Sequence, residues 1–167
     1  MLFARALVSF LVLPGVVAGL IPWLIVSSNG FEPTDGWPWP GLGVLSTGLA
    51  ILLWCVRDFY VTGKGTLAPW DPPLALVGVG LYRYVRNPMY VGVLILVAGW
   101  AILVGSRALA LYWLALIVIF HLRVVFFEEA WLAKSFPAEW SAYRATVPRW
   151  LPRISTGTRA ERRDEER

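Results

Sequence analysis

One cysteine and one histidine stand among the 167 residues, and that scarcity removes several kinds of chemistry at once. Cys55 has no partner for an internal disulfide. With His121 as the sole imidazole, no zinc or iron–sulfur ligand set can be assembled from the usual donors, so no metal is expected. Cys55 itself sits in an apolar run and reads as a small buried core residue. Charge is sparse as well: 16% of the residues are charged, against roughly a quarter in soluble chains. The net charge of +4 is too unevenly spread to suggest nucleic acid as a partner.

Apolar length takes the place of charge. The composition is 57% hydrophobic and the mean hydropathy is +0.61. The expected fold class is all-α: a polytopic membrane helical bundle of about four spans with a C-terminal interfacial helix. One domain, about 1–154, would hold spans at about 2–26, 42–61, 88–104 and 108–127 and an interfacial helix at about 130–147, since a span needs roughly 20 mostly apolar residues. Residues 155–167 mix Arg with Glu and Asp without an apolar run and read as a disordered tail. Pro14-Gly15 and Pro22 predict a kink in the first span. A cleaved signal peptide ending near Val16-Val17-Ala18-Gly19 is the rival reading there, disfavoured because the apolar run continues to Val26. The third span is the shortest, so it tilts little or begins within the interface.

Basic residues set the orientation. Arg5 opens the first span; Arg57, Lys64, Arg83 and Arg86 surround the second connection; Arg107 lies between spans three and four, and the remaining nine run from Arg123 onward. The connection from Ser27 to Gly41 carries only Glu32 and Asp35. By the positive-inside rule both termini face the cytoplasm, and the expected location is the inner membrane of a prokaryote. The sequence sets no oligomeric state.

The most informative stretch is Leu81-Tyr82-Arg83-Tyr84-Val85-Arg86-Asn87-Pro88-Met89-Tyr90-Val91-Gly92, which places two arginines at the mouth of an apolar helix. Arginine at a membrane boundary needs a partner and marks a functional site by default. Asn87-Pro88 is a helix start signal, Asn as cap and Pro at the first position. The free N–H groups and positive dipole end of that helix attract a carboxylate or phosphate.

Two familiar motifs fail nearby. Lys64-Gly65-Thr66 lacks the upstream glycine of a P-loop, Asp58 standing there. Gly78-Val79-Gly80 lacks the third glycine of a dinucleotide fingerprint, that place being Arg83, and no βαβ unit is at hand. Both glycine pairs read either as plain turns or as close backbone approach to a ligand. Pro69, Pro72 and Pro73 predict a stiff, irregular strap.

After span four, His121 and Arg123 precede Glu128-Glu129, and Trp131, Leu132, Phe136, Trp140 and Tyr143 recur at helical spacing, as in an interfacial helix broken near Pro137. Carboxylates at a helix C-terminus oppose its dipole and are explained by a neighbouring cation, or simply mark the water boundary. His121 and Glu128 are expected on one face. One wall with Arg83, Arg86 and a helix N-terminus, opposite a wall with Glu128 and Glu129, would satisfy a zwitterion. S-adenosylmethionine has such a head and would enter from the cytoplasm.

Arg86-Asn87-Pro88-Met89-Tyr90-Val91-Gly92, then Glu128-Glu129, Trp140-Ser141-Ala142-Tyr143 and Val147-Pro148-Arg149-Trp150-Leu151-Pro152, taken in that order, resemble the isoprenylcysteine carboxyl methyltransferase and phospholipid N-methyltransferase superfamily of integral membrane enzymes. The resemblance covers about 74–153. It implies that Arg86, Asn87, Pro88, Tyr90 and Gly92 with Glu128 and Glu129 bind S-adenosylmethionine, and that a lipophilic acceptor enters from the bilayer among membrane lipids. Gly78 and Gly80 resemble the Gly-x-Gly of the phospholipid branch, with Tyr82 beside them as a further candidate contact. Asn87 departs from the histidine of the eukaryotic prenylcysteine enzymes and cannot exchange a proton at neutral pH.

The implied function is an S-adenosylmethionine-dependent methyltransferase acting on a prenylcysteine-like carboxylate, a phospholipid amine or a small hydrophobic thiol or acid. Arg86 and Arg123 are the catalytic candidates. Arg123 either orients an anionic acceptor or snorkels beside the carboxylates. Spans free of acidic residues would favour a neutral or anionic acceptor over an ammonium. Two other classes stand beside this one: a membrane reductase of the sterol-reductase type using a nicotinamide cofactor, and a non-catalytic membrane interaction subunit.

Overall fold

A computed structural model describes residues 8, 10–29, 39–63 and 75–152. Arg5, the Lys64–Thr66 and Pro69–Pro73 segments and the tail 155–167 lie outside them. All regular structure among the described residues is helical.

The first helix, α1 (residues 11–29), is wound with the wide i→i+5 spacing over Leu11–Leu20 and continues as an ordinary helix over Ile21–Asn29. The kink signal of Pro14 and Pro22 is thus expressed as a widened helix. Pro22 has no N–H to give, which deprives carbonyls one turn back. Two side chains answer that loss: Tyr112 Oη donates to Val17 O at 2.9 Å and Trp100 Nε1 to Ala18 O at 3.1 Å. In an apolar surrounding, freed backbone groups need such substitutes.

Helix α2 (Trp39–Asp58) runs on through a wide turn, Phe59–Gly63. Helix α3 (Pro88–Val104) packs along α2 over its whole length, and the reason is glycine. A Cβ at Gly48 would lie 2.5 Å from Leu96 N, one at Gly99 2.6 Å from Leu45 N, and one at Gly41 2.7 Å from Leu103 Cα. Small residues let two helix backbones approach closely where lipid offers no hydrophobic drive. Gly92 belongs to the same seam, facing Ile51 and Leu52.

Gly105, at φ +66°, ends α3 in the left-handed conformation. Ser106 then caps α4 (Arg107–Arg123), its Oγ accepting from Leu109 N at 3.3 Å. A wide turn, Val124–Glu128, joins α4 to α5 (Glu129–Ser135), and α6 (Pro137–Thr146) follows. The interfacial stretch expected at 130–147, broken near Pro137, is two helices divided at Phe136, where Pro137 opens α6. The core joins α1 to α4 through Ala18, Leu52, Val93, Leu96, Val97, Leu116 and Phe120.

Among the described residues, two helices are long and apolar enough to cross a membrane, Trp39–Thr62 with 24 residues and Arg107–Ser135 with 29. The other two apolar helices are shorter, Pro14–Ser28 and Pro88–Val104. At 17 residues, α3 is about 25 Å long, a few ångströms under a hydrocarbon core of about 30 Å. Four full spans were expected; two helices meet the length, and the fourth expected span continues past Phe127 to Ser135.

Candidate functional site

The site gathers around the N-terminal end of α3. A single 3-10 turn, Gly80–Arg83, delivers the chain to Arg86. The C-terminal segment after α6 then folds back over it: Arg86 N donates to Pro148 O at 2.8 Å, and Asn87 Nδ2 donates to Arg149 O at 3.2 Å. Asn87 was expected to cap α3 through its side chain; it makes no such bond. Its amide is spent on the returning C-terminal segment instead, and Pro88 occupies the first helical position, buried.

Arg86 and Glu129, 43 residues apart, meet at 2.8 Å with side chains 10% and 14% exposed. Arg149 grips the same carboxylate with two bonds, Nε to Oε1 at 2.7 Å and Nη2 to Oε2 at 2.9 Å. Both Glu129 oxygens are thereby engaged. The Arg86 guanidinium lies 5.3 Å from the Trp140 ring centre, a cation–π distance. Burial pulls the Arg86 pKa below its ordinary value, with the Glu129 charge working against that shift. The hydrogen bond to Glu129 raises that of Arg149. One buried donor of the group, Arg86 Nε, has no hydrogen-bond partner.

Glu128 forms a second, more open cluster. Its Oε1 accepts from Tyr90 Oη and, at 3.0 Å, from Arg123 Nε, which also contacts Tyr90 Oη at 3.0 Å. Arg123 and Glu128 are five positions apart, a separation that an α-helix does not bring together. The wide turn over Val124–Glu128 does so, because its longer repeat returns the fifth residue to the same side; such turns are frequent at functional sites. His121 and Glu128, expected on one face, share no direct bond. His121 Nδ1 accepts from Trp150 Nε1 at 3.3 Å instead, and Trp150 in turn lies edge-on to Tyr90.

Other expected contacts are placed differently. Tyr82 is buried, and its carbonyl accepts from Tyr143 Oη at 2.7 Å; burial pushes the Tyr143 phenol up to about 12. Gly78 lies against the Tyr143 ring and Gly80 against Asp58. Gly92, expected at the cofactor, is in the α2–α3 seam, where helix packing accounts for it. Arg83 is exposed. Three residues went without a role in the sequence: Arg149, Trp140 and Asp58. Arg149 lies in the quoted Val-Pro-Arg-Trp run, which was signal enough to flag it. The expectation of spans free of acid overlooked Asp58, which closes α2 and is 3% exposed. No group of metal-ligating side chains forms among the described residues.

The family model of phospholipid methyltransferases matches residues 39–139. The chain belongs to the phospholipid methyltransferase family. The match runs from the start of α2 into α6 and so includes the Arg86–Gly92 stretch and both glutamates. This family member is 35% identical over 79 residues to protein-S-isoprenylcysteine O-methyltransferase of Schizosaccharomyces pombe, covering 47% of this chain and 34% of the relative. It is 29% identical over 116 residues to the cobalt-zinc-cadmium resistance protein CzcN of Cupriavidus metallidurans, covering 68% of this chain and 49% of that one. The chain thus spans between a third and a half of the length of these curated relatives. No solved structure matches it. Family membership and the two long apolar helices make it a membrane protein.

Proposed function

We propose that this chain is an S-adenosylmethionine-dependent membrane methyltransferase acting on a lipophilic acceptor that enters from the bilayer. Family membership supports the reaction class. The observation that carries the reading is the meeting of Arg86, Tyr90, Arg123, Glu128 and Glu129 at the head of α3, with one buried guanidinium N–H left without an acceptor. That orphan donor fits a ligand carboxylate, since a buried N–H without a partner is unfavourable by about 1–3 kcal/mol.

The cofactor, when bound, supplies a methyl group on a sulfonium that is already activated for displacement. Arg86 Nε, with the first N–H groups of α3, holds its carboxylate. Glu129 is a positioning residue: with both oxygens engaged, it fixes Arg86 and Arg149 rather than touching ligand. Glu128 spends only Oε1 on Tyr90 and Arg123, so Oε2 serves a ligand ammonium or hydroxyl. Arg123, half-exposed, orients the acceptor. Alignment of two reactants in such a site supplies roughly 7–11 kcal/mol of a barrier. A carboxylate or thiolate acceptor needs no base, whereas an ammonium must first lose a proton. By the bias of the basic residues, we read this site and both termini as facing the cytoplasm.

The test is ligand-dependent thermal stability of the full chain in detergent. S-adenosylhomocysteine raises the Tm and reduced nicotinamide dinucleotide does not, while Glu128→Gln and Arg86→Lys weaken the shift at least tenfold in ligand concentration. Equal stabilisation of both variants and the parent sinks the reading. Transfer of labelled methyl into a lipid extract then names the acceptor.

A further inference from the structure

Asp58 is a charged side chain inside the helical core, and half of its carboxylate is unexplained. Oδ1 takes a 3.2 Å contact from Arg57 Nη1 at the surface, the two side chains being 70% and 5% exposed. Oδ2 is buried and has no hydrogen-bond partner. Gly80, at φ +54°, lies directly over it. A Cβ at residue 80 would collide with Oδ2 and come within 3.0 Å of Trp54 Nε1, so only glycine leaves the carboxylate where it is. Buried carboxylate oxygens without a donor are unfavourable, and each one in a folded chain calls for a reason.

Two features tie this oxygen to the site at α3. The turn that covers it, Gly80–Arg83, is the one that leads to Arg86, and Tyr82 in that turn packs in one cluster with Cys55, one helical turn before Asp58. Tyr143 supports the same turn from α6, its Oη on Tyr82 O and its ring on Gly78. The stretch from Ala75 to Val79 has no regular secondary structure, so it can shift without unwinding a helix.

Resting on the methyltransferase reading, we propose that Asp58 is a ligand-binding residue of that site: displacement of the Gly78–Gly80 turn exposes Oδ2, which accepts a hydrogen bond from a hydroxyl or ammonium group of the bound cofactor or of the methyl acceptor. An ionised carboxylate only accepts, so its partner is a donor, and a cationic or vicinal-hydroxyl donor suits it best. Arg86 Nε, the other orphan, is a donor awaiting an acceptor. Together the two match a ligand that carries both kinds of group.

Asp58→Asn in the full chain, in detergent, provides the test, with S-adenosylhomocysteine binding measured by calorimetry and methyl incorporation measured against a total lipid extract. If the donor belongs to the cofactor, the Kd for S-adenosylhomocysteine rises at least tenfold. If it belongs to the acceptor, that Kd is unchanged and the KM for the extract rises at least tenfold. In either case the Tm without ligand stays at or above the parent value, because the substitution removes a buried charge. Unchanged Kd and KM overturn the proposal, and so does a lower ligand-free Tm, which assigns Asp58 to the fold. Should the variant fail to accumulate, infrared difference spectra of the parent protein with isotope-labelled aspartate decide. A carboxylate band must shift on adding S-adenosylhomocysteine or extract, and an unmoved band overturns the assignment. A parent protein that neither binds S-adenosylhomocysteine nor transfers methyl ends the methyltransferase reading and this proposal with it; a parent that does both, with a variant matching it in Kd and in KM, ends this proposal alone.

Discussion

Glu128 and Glu129 are neighbours in the chain and do different work. Glu129 is gripped by two arginines in a largely buried setting, and removing one partner of such a group strands the other charges. Glu129→Ala therefore loses about 3 kcal/mol of stability, read as a lower midpoint of chemical unfolding in detergent. Glu128 sits in a half-open cluster, where ion pairs contribute about 0–1 kcal/mol. Glu128→Gln leaves the midpoint within about 1 kcal/mol of the parent while weakening ligand-induced stabilisation as stated above. Tyr143→Phe removes the bond to Tyr82 O and about 1 kcal/mol. Tyr143 also has an alkaline signature. With its phenol pushed up to about 12 from an ordinary value near 10, its contribution is whole below about pH 10 and is lost as pH rises through about 12. An alkaline unfolding series shows that component in the parent and lacks it in Tyr143→Phe. The sequence made Arg86 and the two glutamates legible, because charges at the ends of apolar runs stand out. It left Arg149 and Asp58 without roles: the first acts through a chain reversal, and a single acid at a helix end does not interrupt an apolar run.

At the scale of the helix, two devices shape the molecule. The glycine seam between α2 and α3 is one. Gly48→Ala and Gly99→Ala press a methyl group onto the opposing backbone and destabilise by about 1–3 kcal/mol. Gly43, with nothing near its missing side chain, is the control. Gly43→Ala is neutral or stabilising by up to about 1 kcal/mol, the difference in helix propensity, and thermal melts of the three variants check the contrast. The wide turn over Val124–Glu128 is the other device: its longer repeat brings Arg123 and Glu128, five positions apart, to one side. The length of the apolar runs marked helices in the regions of α2, α3 and α4; it could not reveal a change of winding inside an apolar run, nor that Pro22's missing N–H would be answered from α3 and α4.

For the whole molecule, ligand and fold are linked. If S-adenosylhomocysteine binds the folded chain alone, a hundredfold excess over its Kd stabilises by about 2.7 kcal/mol, and unfolding curves at rising concentration follow that logarithm. The closing contacts of the site come from residues 147–152, beyond the last helix. Ending the chain after Thr146 removes Pro148 O, Arg149 and Trp150 from Arg86, Glu129 and Tyr90. It lowers the unfolding midpoint by about as much as Glu129→Ala, roughly 3 kcal/mol, and leaves α2 and α3 packed, as helical circular dichroism will report.

The return of Arg149 to Glu129 has a consequence for how such a molecule is made. During synthesis, Arg86 emerges and reaches the bilayer long before its counter-charge at 129, and the clasp at 149 comes later still. Until Glu129 has been made, Arg86 is therefore an unneutralised guanidinium at a greasy rim, and the clasp closes only after the hydrophobic scaffold of α2 and α3 has been laid down.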